Sequence, residues 1–404
     1  MRILFADSLR AGRLDELRQC GHDIVVEPSL GAGDLADHVQ GVDILVVRST
    51  EVTRAAIEAA DRLGLIVRAG AGTDNIDLSA ASDRGVYVCN VPGRNAVAVA
   101  ELTLGLLLAV DRRIPDNVAD LQRQRWNKGL YSEAEGLLGK TLAILGLGDI
   151  GLAVAERAKA FGLQVIALRR DDRSAEVQGR IRSIGIRLVD RRDELLAGAD
   201  VVSVHVPGST DTVGLVDAEF LARLRPGAIV LNTSRGDVVD EKALLEALDA
   251  GRVRAGIDVW PSEPASSRSE FDSPLARHPA VVGTHHIGAS TEQAQRSVAD
   301  GTIEVIQAYL QGEVVNCVNL NTSVSGTSCL TVRHLDRVGV LAQIFDVLRM
   351  RGLNVQQMHN QVFTGGRAAV ATINVTGRGA DDVVDRLRAI DEVFDAALVA
   401  GDAR

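Results

Sequence analysis

Short apolar runs punctuate the start of the chain: Ile3–Ala6, Ile24–Val26, Ile44–Val47, Leu65–Val67 and Val86–Val88. Between them, residues 14–19, 34–39, 54–60 and 78–83 carry apolar positions at helical spacing. Strands that are apolar throughout, separated by helices, predict a parallel sheet covered on both faces. Residues 96–110 form a long apolar helix without a breaker. A second series opens at residues 141–145 and runs through Gln164–Leu168, Arg187–Val189, Val201–Val204, Ile229–Leu231 and Ala255–Val259. The pattern predicts two doubly wound domains rather than one large sheet. Residues 291–310 read as another long helix, and the Ser/Thr/Asn-rich residues 316–326 as a linker. Beyond it, residues 329–332, 339–349, 355–363, 368–375, 381–390 and 394–399 read β-α-β-β-α-β, a ferredoxin-like unit.

Composition narrows the partners. With 54 acidic against 44 basic side chains and a net charge of −10, neither nucleic acid nor an anionic membrane surface is expected as the main partner. No apolar stretch approaches the ~20 residues that span a bilayer. The N-terminus reaches Asp7 before a signal sequence could develop. Cys20, Cys89, Cys317 and Cys329 form no C-x-x-C pair and read as small buried hydrophobes, not a disulfide frame or a metal site. A soluble, cytoplasmic protein is expected. Only four of the 44 basic residues are lysines, so an arginine carries meaning here only by its position.

One segment fixes a ligand class. Gly146-Leu-Gly148-Asp149-Ile150-Gly151 follows the strand 141–145 and opens the helix 152–161. In that context the glycines allow a tight turn, close approach to a pyrophosphate, and close helix–strand packing. The next strand would ordinarily end in an acid that accepts hydrogen bonds from the adenosine ribose. Here it ends in Arg169-Arg170. A guanidinium pairs with a 2′-phosphate, so a nicotinamide dinucleotide is expected, with NADP favoured over NAD.

Arg235, Glu263 and His286 all follow strands of the second series, at the ends where open α/β sheets place ligands. A guanidinium can grip a carboxylate and polarise the adjacent carbonyl. An imidazole can take a hydroxyl proton, and a carboxylate can hold the imidazolium. The plainer alternatives are a surface ion pair, a turn residue before Pro264, and a satisfied core histidine.

These segments carry a resemblance. Arg68-Ala-Gly-Ala-Gly-Thr-Asp-Asn-Ile-Asp77, Ala100–Thr103, the glycine loop, His205-Val-Pro207, Arg225–Gly236, Asp258–Pro264 and His286-Ile-Gly-Ala-Ser resemble the D-isomer-specific 2-hydroxyacid dehydrogenases. Within that family the chain is most similar to the branch that oxidises 3-phosphoglycerate in serine biosynthesis and carries a C-terminal ACT domain. The resemblance implies an α/β chain of two doubly wound parallel-sheet domains, flavodoxin-like for substrate and Rossmann for nucleotide, plus a ferredoxin-like ACT domain. The implied bounds are 1–94 with 287–318 for the discontinuous substrate domain, 95–286 for the nucleotide domain and 326–404 for the ACT domain.

By the same resemblance Arg235, Glu263 and His286 are catalytic. Asp258 would bind the nicotinamide carboxamide, while His205, Val206, Pro207, Thr233 and Ser234, with Gly288 and Ala289, would line the cofactor cleft. Backbone groups of Ala71 and Gly72 would face the substrate carboxylate, and Arg48 a substrate phosphate. His334, Asp336 and Asn354 match effector-contacting positions for a small amino acid, and a homodimer or tetramer is implied. Two rivals remain: an NADPH-dependent reductase of hydroxypyruvate, glyoxylate or another 2-keto acid, and a dinucleotide-sensing binding protein without turnover.

Overall fold

The computed structural model describes residues 1–9, 14–264, 268–320, 328–377 and 382–399. It divides into a unit of residues 1–319 and a unit of residues 320–404. Most of the expected linker, residues 321–326, lies outside the described residues, as does Asp381 at the start of an expected helix.

The first sheet comprises β1 (Arg2–Phe5), β2 (Asp23–Val26), β3 (Ile44–Val47), β4 (Leu65–Arg68) and β5 (Tyr87–Asn90), all parallel, in the order β2-β1-β3-β4-β5. Alternation along each strand serves two cores. Leu45, Val47 and Ile66 pack on one face, while Ile44, Val46 and Leu65 pack on the other with Ile303 and Ile306. Those isoleucines belong to the helix Glu292–Leu310, so the chain returns from the second sheet to cover the first.

The second sheet is β6 (Thr141–Leu145), β7 (Gln164–Leu168), β8 (Arg187–Val189), β9 (Val201–Val204), β10 (Ala228–Asn232), β11 (Val253–Ile257) and β12 (Val281–Gly283). It too is parallel, in the order β12-β11-β10-β9-β6-β7-β8. The chain turns outward in both directions from β6 and β9, so their C-terminal ends flank the crevice where such sheets bind ligands. In the first sheet the equivalent crevice lies between β1 and β3. The two expected doubly wound sheets are therefore present.

The helix after the glycine loop begins at Asp149, three residues earlier than expected, because Gly148 is extended and its carbonyl accepts the Leu152 amide. The helix Ile114–Gln122 was not expected at all. It buries none of its residues: Ile114, Val118 and Leu121, though at helical spacing, stay exposed.

The C-terminal unit has β13 (Ser328–Leu335), β14 (Asn354–Val362), β15 (Ala368–Thr376) and β16 (Val393–Val399) in one antiparallel sheet, ordered β14-β15-β13-β16. Helices Val340–Met350 and Val383–Arg388 contribute Ile344, Leu348 and Leu387 to the core on one face. The β-α-β-β-α-β order matches the sequence pattern.

Candidate active site

Asn232, the last residue of β10, is buried, and its side chain organises the turn that follows. Its Oδ1 accepts from the Ser234 amide and hydroxyl, and its Nδ2 donates to the Arg235 carbonyl at 2.8 Å. A Cβ on Gly236 would stand 2.2 Å from the Trp260 backbone, so only glycine lets the β10 and β11 loops approach this closely. The turn directs Arg235 toward the first lobe. Its Nε donates to Asp74 Oδ2 at 2.7 Å and its Nη1 to the Ser234 carbonyl at 2.8 Å. Its Nη2 lies against Gly72, where a Cβ would come within 1.9 Å.

Glu263 sits in the loop after β11. Its Oε1 accepts the Trp260 amide at 2.8 Å and its Oε2 meets His286 Nδ1 at 2.6 Å. Burial would raise the Glu263 carboxyl. The bonds from His286 and Trp260, with the charges of His286 and Arg235, outweigh it and hold the group below its ordinary value. The carboxylate fixes Nδ1 as the donor and leaves Nε2 for a reacting hydroxyl or carbonyl.

His286 itself has φ +50°, a left-handed conformation uncommon outside glycine. Asp258 holds it there. Its buried carboxylate accepts Thr284 Oγ1 at 2.6 Å and the amides of Ile287 and Gly288 at 2.9 Å, and its carbonyl accepts the His286 amide at 2.8 Å. Asp258 is thus the anchor of the histidine loop, a role the sequence did not suggest.

The glycine loop lies at the crevice between β6 and β9. Gly146, at φ +96°, would place a Cβ 2.5 Å from the His205 carbonyl, and a Cβ on Gly151 would stand 2.0 Å from the Gly146 carbonyl. Gly148 instead faces open space. Two glycines are therefore demanded by the fold, while the third opens a cradle that fits a pyrophosphate. Asp149 turns to Arg180 at 3.7 Å, Ile150 is half-buried, and Thr233 Oγ1 meets Thr103 Oγ1 at 3.0 Å. Val206 is half-buried and Pro207 exposed.

At the end of β7, Arg169 Nε pairs with Asp190 at 2.7 Å and Arg170 grips Asp172 through Nε and Nη2. Both pairs are exposed and correspondingly weak. A third guanidinium was missed. Arg173 Nη2 donates to the Leu168 carbonyl, and its Nη1 is buried without a partner.

His205 Nε2 meets Ser203 Oγ at 2.7 Å, and burial pushes its imidazole down to about 3. The unfolded chain binds a proton here below about pH 6.5 that the folded chain refuses until far lower pH. His205 therefore contributes full stability above about pH 6.5 and loses it as the pH falls toward 3. Between pH 7 and pH 5 the loss is expected to be about 1–2 kcal/mol, read as a lower urea midpoint. A His205→Asn variant should show a shallower decline over the same interval. An unchanged slope would exclude His205 as its source.

Arg48 stands at the crevice of the first sheet, where Asp7 Oδ2 accepts its amide at 2.6 Å and those of Ser49 and Thr50 at 3.1 Å. Its side chain lines a cleft with Ser8, Arg68, Gly70, Asn95 and Ala289. Ala289, expected beside the cofactor, belongs to this cleft. Ala71 is fixed through its carbonyl, which accepts Asn90 Nδ2 at 2.6 Å. Arg68 is the last residue of β4. Its Nε is buried without a partner, and burial, then the charge of Arg235, with Arg48 adding, lowers it to about 10. Among the described residues neither Arg48 nor Arg68 has a carboxylate at ion-pair distance.

In the C-terminal unit, His334 is buried, with Nδ1 at 2.8 Å from the Leu335 carbonyl and Nε2 at 3.1 Å from Asn360 Oδ1. Asp336 and Asn354 are exposed. His334 pairs with Ala369 and Asn354 with Thr376, so the two stand at opposite ends of β15. One copy of the unit does not bring them together. Among the described residues, no helix is long and apolar enough to cross a membrane, and no cluster of side chains could hold a metal ion.

Residues 104–288 match the family model for the D-isomer specific 2-hydroxyacid dehydrogenase, NAD binding domain. A D-3-phosphoglycerate dehydrogenase of Methanocaldococcus jannaschii is 40% identical over 323 residues, 79% of this chain and 60% of that protein. The chain thus spans about 60% of the length of that curated relative. A hydroxypyruvate reductase of Thermotoga maritima is 41% identical over 70% of this chain and 89% of that protein. Among solved structures, the TT0316 protein of Thermus thermophilus superposes with a TM-score of 0.69 at 34% identity, over 79% of this chain and all of that one.

Proposed function

The chain belongs to the D-isomer specific 2-hydroxyacid dehydrogenases, and we propose that it interconverts 3-phosphoglycerate and 3-phosphohydroxypyruvate, a step of serine biosynthesis. The observation that carries this choice is the pair of guanidiniums, Arg48 and Arg68, facing one cleft without carboxylate partners. Unpaired cations at the crevice of a parallel sheet suit a phosphate. The M. jannaschii relative bears the name of that activity.

The glycine loop Gly146–Gly151 would hold the dinucleotide, which when bound would supply hydride chemistry for substrate C2. Arg235 binds the substrate carboxylate and polarises the C2 oxygen. His286 Nε2 takes the hydroxyl proton in oxidation and returns it in reduction. Glu263 holds the ring and stabilises the imidazolium. NADP is favoured over NAD, because a 2′-phosphate could displace the exposed partners of Arg169 and Arg170. Since His334 and Asn354 cannot meet within one copy, an amino-acid effector at these residues would need two copies of the ACT-like unit, in keeping with a homo-oligomer.

The test is a steady-state matrix of NADH and NADPH against phosphohydroxypyruvate, hydroxypyruvate and 2-ketoglutarate, each with and without L-serine. Phosphohydroxypyruvate with NADPH is expected to give the highest kcat/KM. Equal or faster use of hydroxypyruvate would favour the reductase reading, which the T. maritima relative supports. Absence of turnover with every pair would favour the dinucleotide-sensing one. Arg68→Ala should raise KM for the phosphorylated keto acid by about 10²-fold and leave hydroxypyruvate within about threefold. A parallel loss on both substrates would remove Arg68 from phosphate binding.

A further inference from the structure

All four cysteines are free thiols, yet two of them face each other. Cys89 lies in β5, and Cys317 forms an antiparallel bridge with it from the segment that follows the helix Glu292–Leu310. The Asn90 amide donates to the Asn316 carbonyl at 3.2 Å and the Val318 amide to the Val88 carbonyl at 2.8 Å. Those bonds fall on the neighbouring pairs, so Cys89 and Cys317 oppose each other at a non-hydrogen-bonded position. Such positions bring the Cα atoms to about 4.5 Å and the side chains closest of all. A disulfide needs Cα atoms roughly 4.4–6.8 Å apart and Cβ atoms about 3.5–4.5 Å apart, so the backbone is already set for one.

The two thiols share an apolar cluster with Tyr87, Ile306 and Tyr309. Cys89 is buried and Cys317 half-exposed, its thiol donating to Asn319 Oδ1 at 3.2 Å. Of this pair, only Cys317 is open to a reagent from solvent. Cys20 lies exposed just beyond the helix Leu14–Gln19, and Cys329 belongs to the C-terminal unit.

We propose that Cys89 and Cys317 are a reversible thiol–disulfide pair, a modification site whose oxidant is a small organic disulfide. Cys317, as the thiolate, attacks one sulfur of the reagent. A mixed disulfide forms and one reagent thiolate leaves. Cys89 gives its proton to solvent and attacks the Cys317 sulfur, and the second reagent thiolate leaves. Two protein thiols are thereby oxidised by two electrons, and the reagent disulfide is reduced to two thiols. Burial and the neighbouring Cys317 raise the Cys89 thiol to about 12, so the second step is the slower one and quickens with pH. The new bond ties β5 to the residues preceding the C-terminal unit and closes a loop holding the whole seven-stranded sheet. So long a loop constrains the unfolded chain strongly.

The 404-residue chain would be treated with oxidised glutathione at about pH 8, its remaining thiols alkylated, and its peptides mapped by mass. The expected result is a linked peptide joining Cys89 to Cys317 and a thermal midpoint raised by about 5 °C, both reversed by dithiothreitol. Cys317→Ser should abolish the linkage and the shift without lowering the untreated midpoint. Should that variant fail to fold, alkylation of the wild-type protein decides alone. Full labelling of both cysteines after oxidation would overturn the proposal. So would a glutathione adduct on Cys317 that never passes to Cys89, or a linkage made through Cys20 or Cys329.

Discussion

Replacing His286 with asparagine is expected to lower kcat by about 10²- to 10⁴-fold while dinucleotide affinity stays within a few-fold of wild type. Asparagine is chosen because it tolerates the left-handed backbone that position 286 adopts, so the Asp258-anchored loop keeps its shape. What is lost is a proton acceptor on Nε2 and its link to Glu263. Nicotinamide fluorescence titration and steady-state kinetics read the two quantities separately. A kcat within tenfold of wild type would remove His286 from the chemistry. Glu263→Gln should fall between the two, because it keeps a hydrogen-bond acceptor for Nδ1 but no longer balances the imidazolium. Asp258 is the less obvious position. Three donors converge on its buried carboxylate, so Asp258→Asn turns one acceptor oxygen into a donor facing donors. Its damage would arise through the loop rather than through the reacting atoms.

How much of this was legible in the chain follows from what a local pattern can encode. Burial on both faces writes itself as runs such as Ile44–Val47, so the two parallel sheets could be read directly. Gly146 and Gly151 were legible because a tight turn forbids a Cβ there. Arg235, Glu263 and His286 stand out in sequence by their position after strands. Partnerships were not legible. Asp74 and Arg235 lie 161 residues apart, and no periodicity records that they meet. Arg68 stands apart from the surface arginines by its burial and its unpartnered Nε, both properties of the folded surroundings. Arg170 pairs with its sequence neighbour Asp172, whereas Arg169 takes Asp190 from the end of the adjacent strand, which no local pattern records. His334 is buried against Asn360, a partnership that likewise leaves no local pattern.

Arg235→Lys is expected to lower kcat/KM by about 10²- to 10³-fold, although the charge is kept. The guanidinium is engaged on three sides. Asp74 takes Nε, the Ser234 carbonyl takes Nη1, and Nη2 lies against Gly72. An ammonium has no fixed fork, so it cannot stay bound to Asp74 and also offer paired donors to a carboxylate. Asp74 is correspondingly a positioning residue. Asp74→Asn keeps the shape but loses the charge that orients Nε, and it should lower kcat more than it raises KM. That split distinguishes orientation from simple loss of substrate attraction, since Asp74 is an acid and its removal leaves the cleft more positive, which on charge alone would tighten an anionic substrate. A lower KM with unchanged kcat in Asp74→Asn would mean that the aspartate only tempers the field of Arg235, Arg48 and Arg68. Wild-type rates in Arg235→Lys would show that any cation at that position suffices.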